Sequence, residues 1–167
     1  MSITIKDVLK LPCMINAEVV AGKGGLDNIV TGVSVLEYSE PPQASEKMFF
    51  DREYLGSEIV ITTFASVGDD IDKQYAEIQN LSATGAVGLV LYYMALFVKK
   101  LDKRIIQIAN ELGFVIICMP PAHYHLRYSE TIACIQNAIL LDRMKTKNFV
   151  PEIFDVLSVL PQSQQNM

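Results

Sequence analysis

Ala86-Val87-Gly88-Leu89-Val90-Leu91 and Phe114-Val115-Ile116-Ile117-Cys118 are two apolar, β-type runs, and between them Leu101, Ile105, Ile108, Ala109 and Leu112 recur at i, i+4, i+7, i+8 and i+11. That spacing predicts an amphipathic helix, which Gly113 closes. A strand, a helix and a second strand joined by short glycine-marked connections predict a parallel pair. Strands that are apolar throughout are those a parallel sheet covers on both faces. Upstream, Ser57 to Thr63 has the same character. It is followed by a helix that Asp69 or Asp70 can cap, with Ile71, Tyr75, Ile78 and Leu81 at helical spacing and Gly85 at its end.

Further towards the amino terminus, Gly32-Val33-Ser34-Val35-Leu36-Glu37 and Ala17 to Ala21 read as strands, with Gly22-Lys23-Gly24-Gly25 as a turn. Ile5 to Leu9 is a short helical candidate stopped by Pro12, and Pro41-Pro42 makes Ser39 to Gln43 a loop. A last helix runs from about Ser129 to Lys147, with Ile132, Ile135 and Ile139 on one face. The expected fold is α/β: a mostly parallel sheet built from βαβ units with flanking helices and a short mixed amino-terminal part. Phe149-Val150-Pro151 breaks the last helix, Ile153 to Leu160 has the makings of a short additional one, and 161–167 has nothing to build a core from. The expected organisation is therefore one domain over 1–147 and a linker or tail over 148–167.

The chain has 167 residues, enough for one real core. Its formal net charge is −5 and its lysines and arginines are scattered, whereas a nucleic-acid surface needs clustered cations to displace counterions from phosphate. Direct contact with nucleic acid is not expected. Cys13, Cys118 and Cys134 are odd in number and lie in or beside apolar stretches, as reduced thiols of a cytoplasmic protein do. No signal peptide is evident, because Lys6 and Asp7 interrupt the start, and the longest apolar stretch, Ala86 to Val98, is too short to span a bilayer. A cytoplasmic protein without membrane contact is expected.

Motifs for chemistry are sparse. Gly22-Lys23-Gly24-Gly25 lacks the Gly-Lys-Ser/Thr of a phosphate loop, and Gly85-Ala86-Val87-Gly88 enters a strand where a dinucleotide fingerprint would leave one. His123 and His125, either side of Tyr124, have the spacing for two metal ligands, but no third ligand lies near them in sequence. There is no nucleophile elbow, no cysteine with a nearby base, and no recognisable catalytic carboxylate pair. No enzymatic activity, cofactor or metal is expected. The chemistry-bearing residues instead gather at the carboxyl ends of the predicted strands, the rim where α/β proteins bind ligands. Glu37 and Ser39 come from one end, Thr62, Thr63 and Phe64 from the next, Tyr92 and Tyr93 from the third and His123 from the fourth. These eight are the expected ligand-binding residues.

Several of these pieces, in order, resemble the amino-terminal domain of the PucR (purine catabolism regulatory protein-like) family of bacterial transcription regulators over nearly all of residues 3 to 140. They are Ile5-Lys6-Asp7-Val8-Leu9-Lys10-Leu11-Pro12, Val20-Ala21-Gly22 with Gly25-Leu26-Asp27, Val33 to Glu37, Leu55 to Thr63, Leu81 to Leu91, Ala109 to Ile117 and Arg127-Tyr128-Ser129-Glu130. The resemblance implies a sensory domain answering to a small metabolite of purine or other nitrogen or carbon catabolism, acting as a homodimer. It also implies a downstream DNA-binding domain in the same polypeptide, although no helix pair with a basic recognition helix follows residue 148. The rival readings are a dimerisation or interaction module with no small ligand, and a substrate-binding domain of a larger enzyme. Tyr92 to Val98, or the Ile132 to Ile139 helix, is the expected dimer surface. Two departures stand out: Phe64 replaces the family's usual glycine after Thr-Thr, and Gly56-Ser57-Glu58 replaces its Gly-Gly-Glu. The bulk of Phe64 is expected to narrow any pocket at that strand end.

Overall fold

The computed structural model describes residues 2–36, 56–121 and 127–146. Five strands form one sheet: β1 (Glu18–Ala21), β2 (Gly32–Val35), β3 (Glu58–Thr62), β4 (Gly88–Leu91) and β5 (Val115–Cys118), in the order β1-β5-β4-β3-β2. β2 to β5 run parallel, and only β1 is antiparallel, to β5. Among the described residues four α-helices accompany them: α1 (Ile5–Val8), α2 (Ile71–Ala83), α3 (Lys103–Leu112) and α4 (Tyr128–Thr146). The α/β fold and mostly parallel sheet expected from the apolar runs are what the chain adopts.

The alternation of side chains along each strand divides the core in two. On one face Val60, Leu89, Leu91 and Ile116 pack with Ile78 and Leu81 of α2 and Ile105, Ile108 and Ala109 of α3. On the other, Ile59, Ile61, Val90, Val115 and Ile117 pack with Ile5 and Val8 of α1, the 3₁₀ turn Pro12–Met14, and Ile135 and Ile139 of α4. Every residue of β3 and β4 is buried. Sheets covered on both sides leave no room for polar alternation, which is why these strands are continuous apolar runs.

Local chemistry sets the element ends. Thr4 and Asp7 cap α1 reciprocally: the Thr4 hydroxyl accepts from the Asp7 N–H at 3.3 Å, and the Asp7 carboxylate accepts from the Thr4 N–H at 3.2 Å. Asp70 rather than Asp69 caps α2, accepting from the Lys73 N–H at 3.1 Å, while Asp69 accepts from the Lys99 N–H in the loop after β4. Asp102 caps α3, and Gly113 ends it in the left-handed conformation. At Gly22 the φ of +70° is matched by crowding, since a Cβ there would lie 1.9 Å from the Phe114 carbonyl oxygen. The glycine turn is thus a structural joint against the start of β5.

The helix faces correct two expectations. Ile71 sits on the first turn of α2 and is partly exposed, whereas Gln74 and Glu77 are buried beside Ile78 and Leu81. The sheet-facing stripe of α2 is therefore 74, 77, 78 and 81, and it carries two polar side chains. In α3, Leu101 is buried just ahead of the helix, and Leu112 at its end is exposed. The Ser39 to Gln43 loop and the 153–160 segment lie outside the described residues.

Candidate functional site

Parallel strands in register bring their carboxyl ends to one edge. Val35 stands opposite Ile61, Thr62 opposite Leu91 and Leu91 opposite Cys118. Beyond β2 the Leu36 N–H donates to the Ile61 carbonyl at 2.9 Å, and the Thr62 hydroxyl donates to the Leu36 carbonyl at 2.9 Å. At this edge the exits diverge. The chain leaving β4 enters α3 on one face of the sheet, and the chain leaving β5 enters α4 on the other. Divergent exits from neighbouring strands open a crevice between them, the position at which open α/β sheets bind ligands.

Five of the sequence-derived site residues are described, and the structure separates them by environment. Thr62 is buried, and its hydroxyl also accepts from the Phe64 N–H at 3.1 Å, so it braces the exit of β3. Thr63 is half-buried and accepts from the Ala65 N–H at 3.1 Å through its hydroxyl. Phe64 has a φ of +56° and is 1% exposed, sharing the α2–α3 core with Val67, Val98 and Leu101. Its ring fills the interior and does not narrow a pocket at the rim, so that expectation is overturned. The left-handed backbone is one that glycine adopts freely: a Cβ there is strained, and here core packing offsets the strain. Tyr92 is also interior, 1% exposed, with its hydroxyl hydrogen-bonded to the buried Thr131 hydroxyl of α4. Glu37, Ser39 and His123, together with His125, lie outside the described residues.

Tyr93 lines a cleft. About 440 Å³ in volume, the cleft is bounded, among the described residues, by Val35, Tyr93, Arg127, Tyr128, Ser129 and Ile132. Its wall carries Tyr93 and Tyr128, which form an aromatic cluster with the interior Tyr92. The Tyr92 and Tyr128 rings meet edge to face at 5.0 Å between centroids, Tyr92 and Tyr93 at 5.8 Å, and Tyr93 and Tyr128 at 5.6 Å with a tilt of 33°. Such distances are those at which ring quadrupoles attract. Burial pushes the Tyr92 phenol up to about 12, against the opposing bond from Thr131, so it stays protonated and acts as a fixed strut. Tyr93 itself is held at a φ of +55°, and Ala95 two residues on at +72°. Strain of this kind persists only where packing over-determines it, and it gathers at ligand sites and switches.

Sequence reasoning named Tyr93 but assigned no site role to Val35, Arg127, Tyr128, Ser129 or Ile132. One signal was available: Arg127 and Ser129 open the helix that follows β5, where loops at the carboxyl edge carry function. Among the described residues no group of three His, Cys, Asp or Glu side chains is placed to hold a metal ion, and no helix is long and apolar enough to cross a membrane.

The fold defines the class: an open, mostly parallel α/β domain, here with a cleft between the end of β2, the exit of β4 and the start of α4. Its membership is more specific. Residues 7–139 match the purine catabolism regulatory protein-like (PucR) family, and the chain belongs to that family. No curated protein matches the chain, and no solved structure does.

Proposed function

We propose that residues 1–147 form the metabolite-responsive part of a cytoplasmic transcription regulator, a non-catalytic domain whose effector binds at the carboxyl edge of the sheet. The observation that carries this reading is the 440 Å³ cleft at the carboxyl edge, between Val35 at the end of β2, Tyr93 after β4 and the first turns of α4, with Tyr93 and Tyr128 on its wall. Family membership supports the regulatory context. A cleft lined mostly by apolar and aromatic side chains with a few polar groups is what a small-ligand site requires. The effector is a small metabolite of purine or other nitrogen or carbon catabolism, and the domain passes its occupancy to a DNA-binding domain in the same polypeptide, through 148–167 as linker. The test is a thermal-shift screen of purines, ureides, amino acids and organic acids. A ligand bound only by the native state at about a hundred times its Kd adds ~2.7 kcal/mol, which moves the melting point by several degrees. A screen without any such shift counts against the reading.

Homodimerisation belongs to the same proposal. Tyr92 and Val98 are buried in the core, and so are Ile135 and Ile139, which leaves Leu96 (66% exposed) and Phe97 (41%) as the large apolar side chains that the expected surface exposes to a second copy. Light scattering across a concentration series checks it: a monomer mass that does not change at tens of micromolar and above sinks the dimer.

A further inference from the structure

The polar groups of the cleft specify more than its volume does. We propose that it takes a small anion with a flat apolar body, a carboxylate carried on an aromatic or similarly planar ring. The anion is held by the Arg127 guanidinium and the Ser129 hydroxyl, and the ring lies along Tyr93, Tyr128, Val35 and Ile132. This rests on the reading of the domain as a metabolite sensor and adds the chemical class of its ligand.

Charge comes first. Among the described residues lining the cleft there is one cation, Arg127, and no carboxylate. The Arg127 backbone N–H donates to Glu130 at 3.2 Å, so Glu130 caps its own helix, while the Arg127 side chain forms no ion pair with a described residue. The Ser129 hydroxyl likewise has no hydrogen-bond partner among the described residues. Two donors, one of them charged, therefore lie on the lining of a cavity whose other described wall residues are apolar or aromatic. A guanidinium offers a planar fork that matches a carboxylate, and such charge-assisted bonds are stronger than neutral ones. A cationic ligand would meet Arg127 with no compensating acid among the described residues of the lining.

Shape comes second. The Tyr93 and Tyr128 rings, 5.6 Å apart and tilted by 33°, leave an aromatic surface against which a flat ring can pack. The volume of about 440 Å³ lies toward the lower part of the range for small-ligand pockets, roughly 300–1,000 Å³, and suits a single ring with its substituents. Tyr93 is the residue held at positive φ, so the backbone strain falls on the wall that would meet the ring.

Benzoate, benzamide and benzylammonium, three probes of one shape and different charge, make the test on the full chain by protein-observed NMR and calorimetry at millimolar concentrations. Benzoate is expected to bind at least tenfold more tightly than benzamide, and benzylammonium not measurably. Arg127→Gln, at an exposed position, is expected to weaken benzoate at least tenfold at an unchanged melting temperature. Ser129→Phe, which fills the cleft, is expected to abolish binding while circular dichroism stays native. Equal affinity for benzoate and benzamide, indifference of benzoate to both variants, or no binding by any probe overturns the proposal. If a ligand from the broader metabolite screen binds both variants as it binds the natural chain, this proposal fails while the sensor reading stands. If neither screen nor probes yield a ligand, both fail.

Discussion

The Tyr92 hydroxyl and the Thr131 hydroxyl are hydrogen-bonded to one another inside the core, tying the end of β4 to the start of α4 beside the aromatic wall of the cleft. Neither can turn to water, so removing one orphans the other. Tyr92→Phe is expected to cost about 1–2 kcal/mol, the penalty for a buried hydroxyl left unpaired, and Thr131→Val a similar amount. In the double variant both groups are gone, so its cost should fall short of the sum. Urea unfolding of the three variants measures this, and strict additivity would show that the bond contributes nothing.

Phe64 combines a left-handed backbone with full burial. Phe64→Gly relieves roughly 1–2 kcal/mol of backbone strain and forfeits roughly 3–5 kcal/mol of packing, a net loss of a few kcal/mol. A glycine variant more stable than the natural chain in thermal denaturation would show that the strain outweighs the packing.

Gly22→Ala adds a Cβ that would lie 1.9 Å from the Phe114 carbonyl oxygen and 2.8 Å from the Val115 Cα, both backbone atoms that cannot swing away, at a φ of +70°. Overpacking and left-handed strain together should cost roughly 3 kcal/mol. Gly24→Ala, where a Cβ meets nothing within 4 Å, is the control and should stay near the natural stability. Equal denaturation midpoints for the two variants would disprove the close approach.

Stability should fall in alkali. Burial pushes the Cys13 thiol up to about 12, with the neighbouring Cys134 adding to the shift, and burial with the Glu18 charge pushes Cys118 up to about 11. Tyr92, also raised by burial, lies at about 12. Each group ionises more readily in the unfolded chain. The stability is therefore fully present below the unfolded values of roughly 9 for the thiols and 10 for the phenol, and is lost as pH rises through the folded ones. Denaturant midpoints should decline from about pH 9 to pH 12, and Cys13→Ala should flatten the earlier part of that decline. A flat profile over this interval contradicts the burial argument.

Asp7 works in the opposite sense. The Lys10 ammonium at 2.9 Å and the bonds from Thr4 hold its carboxyl at about 2. The contribution is present above the usual carboxylate range and is lost as the pH falls towards 2. Because the pair is exposed, the effect should be small and should shrink in salt. Comparison of Asp7→Asn with the natural chain between pH 2 and pH 6 checks it: the difference should be larger at pH 6 than at pH 2.

The sheet and its helices were legible in the chain because period and burial are coupled. A strand covered on both faces has to be apolar throughout, as Ile59-Val60-Ile61 and Leu89-Val90-Leu91 are, and a helix lying on a sheet has to repeat near 3.6 residues, as Ile105, Ile108 and Ala109 do. The carboxyl edge was legible too, since strand direction follows from the βαβ order.

The direction of individual side chains at that edge was settled only in three dimensions. Tyr92 and Tyr93 are adjacent and chemically identical, yet one is interior and the other lines the cleft, because the left-handed backbone at Tyr93 turns the chain as it leaves β4. Nothing local distinguishes Phe64 as a core ring from Phe64 at a pocket rim. That depends on α2 and α3 closing over it from far along the chain. Val35 lies far along the chain from Arg127 and Ser129, and they meet only because β5 sends its helix to the face that β4 does not use. Periodicity is a property of neighbours along the chain. A cleft depends on which distant elements pack together, and that is decided by the competition among all the apolar faces for the same two sides of the sheet.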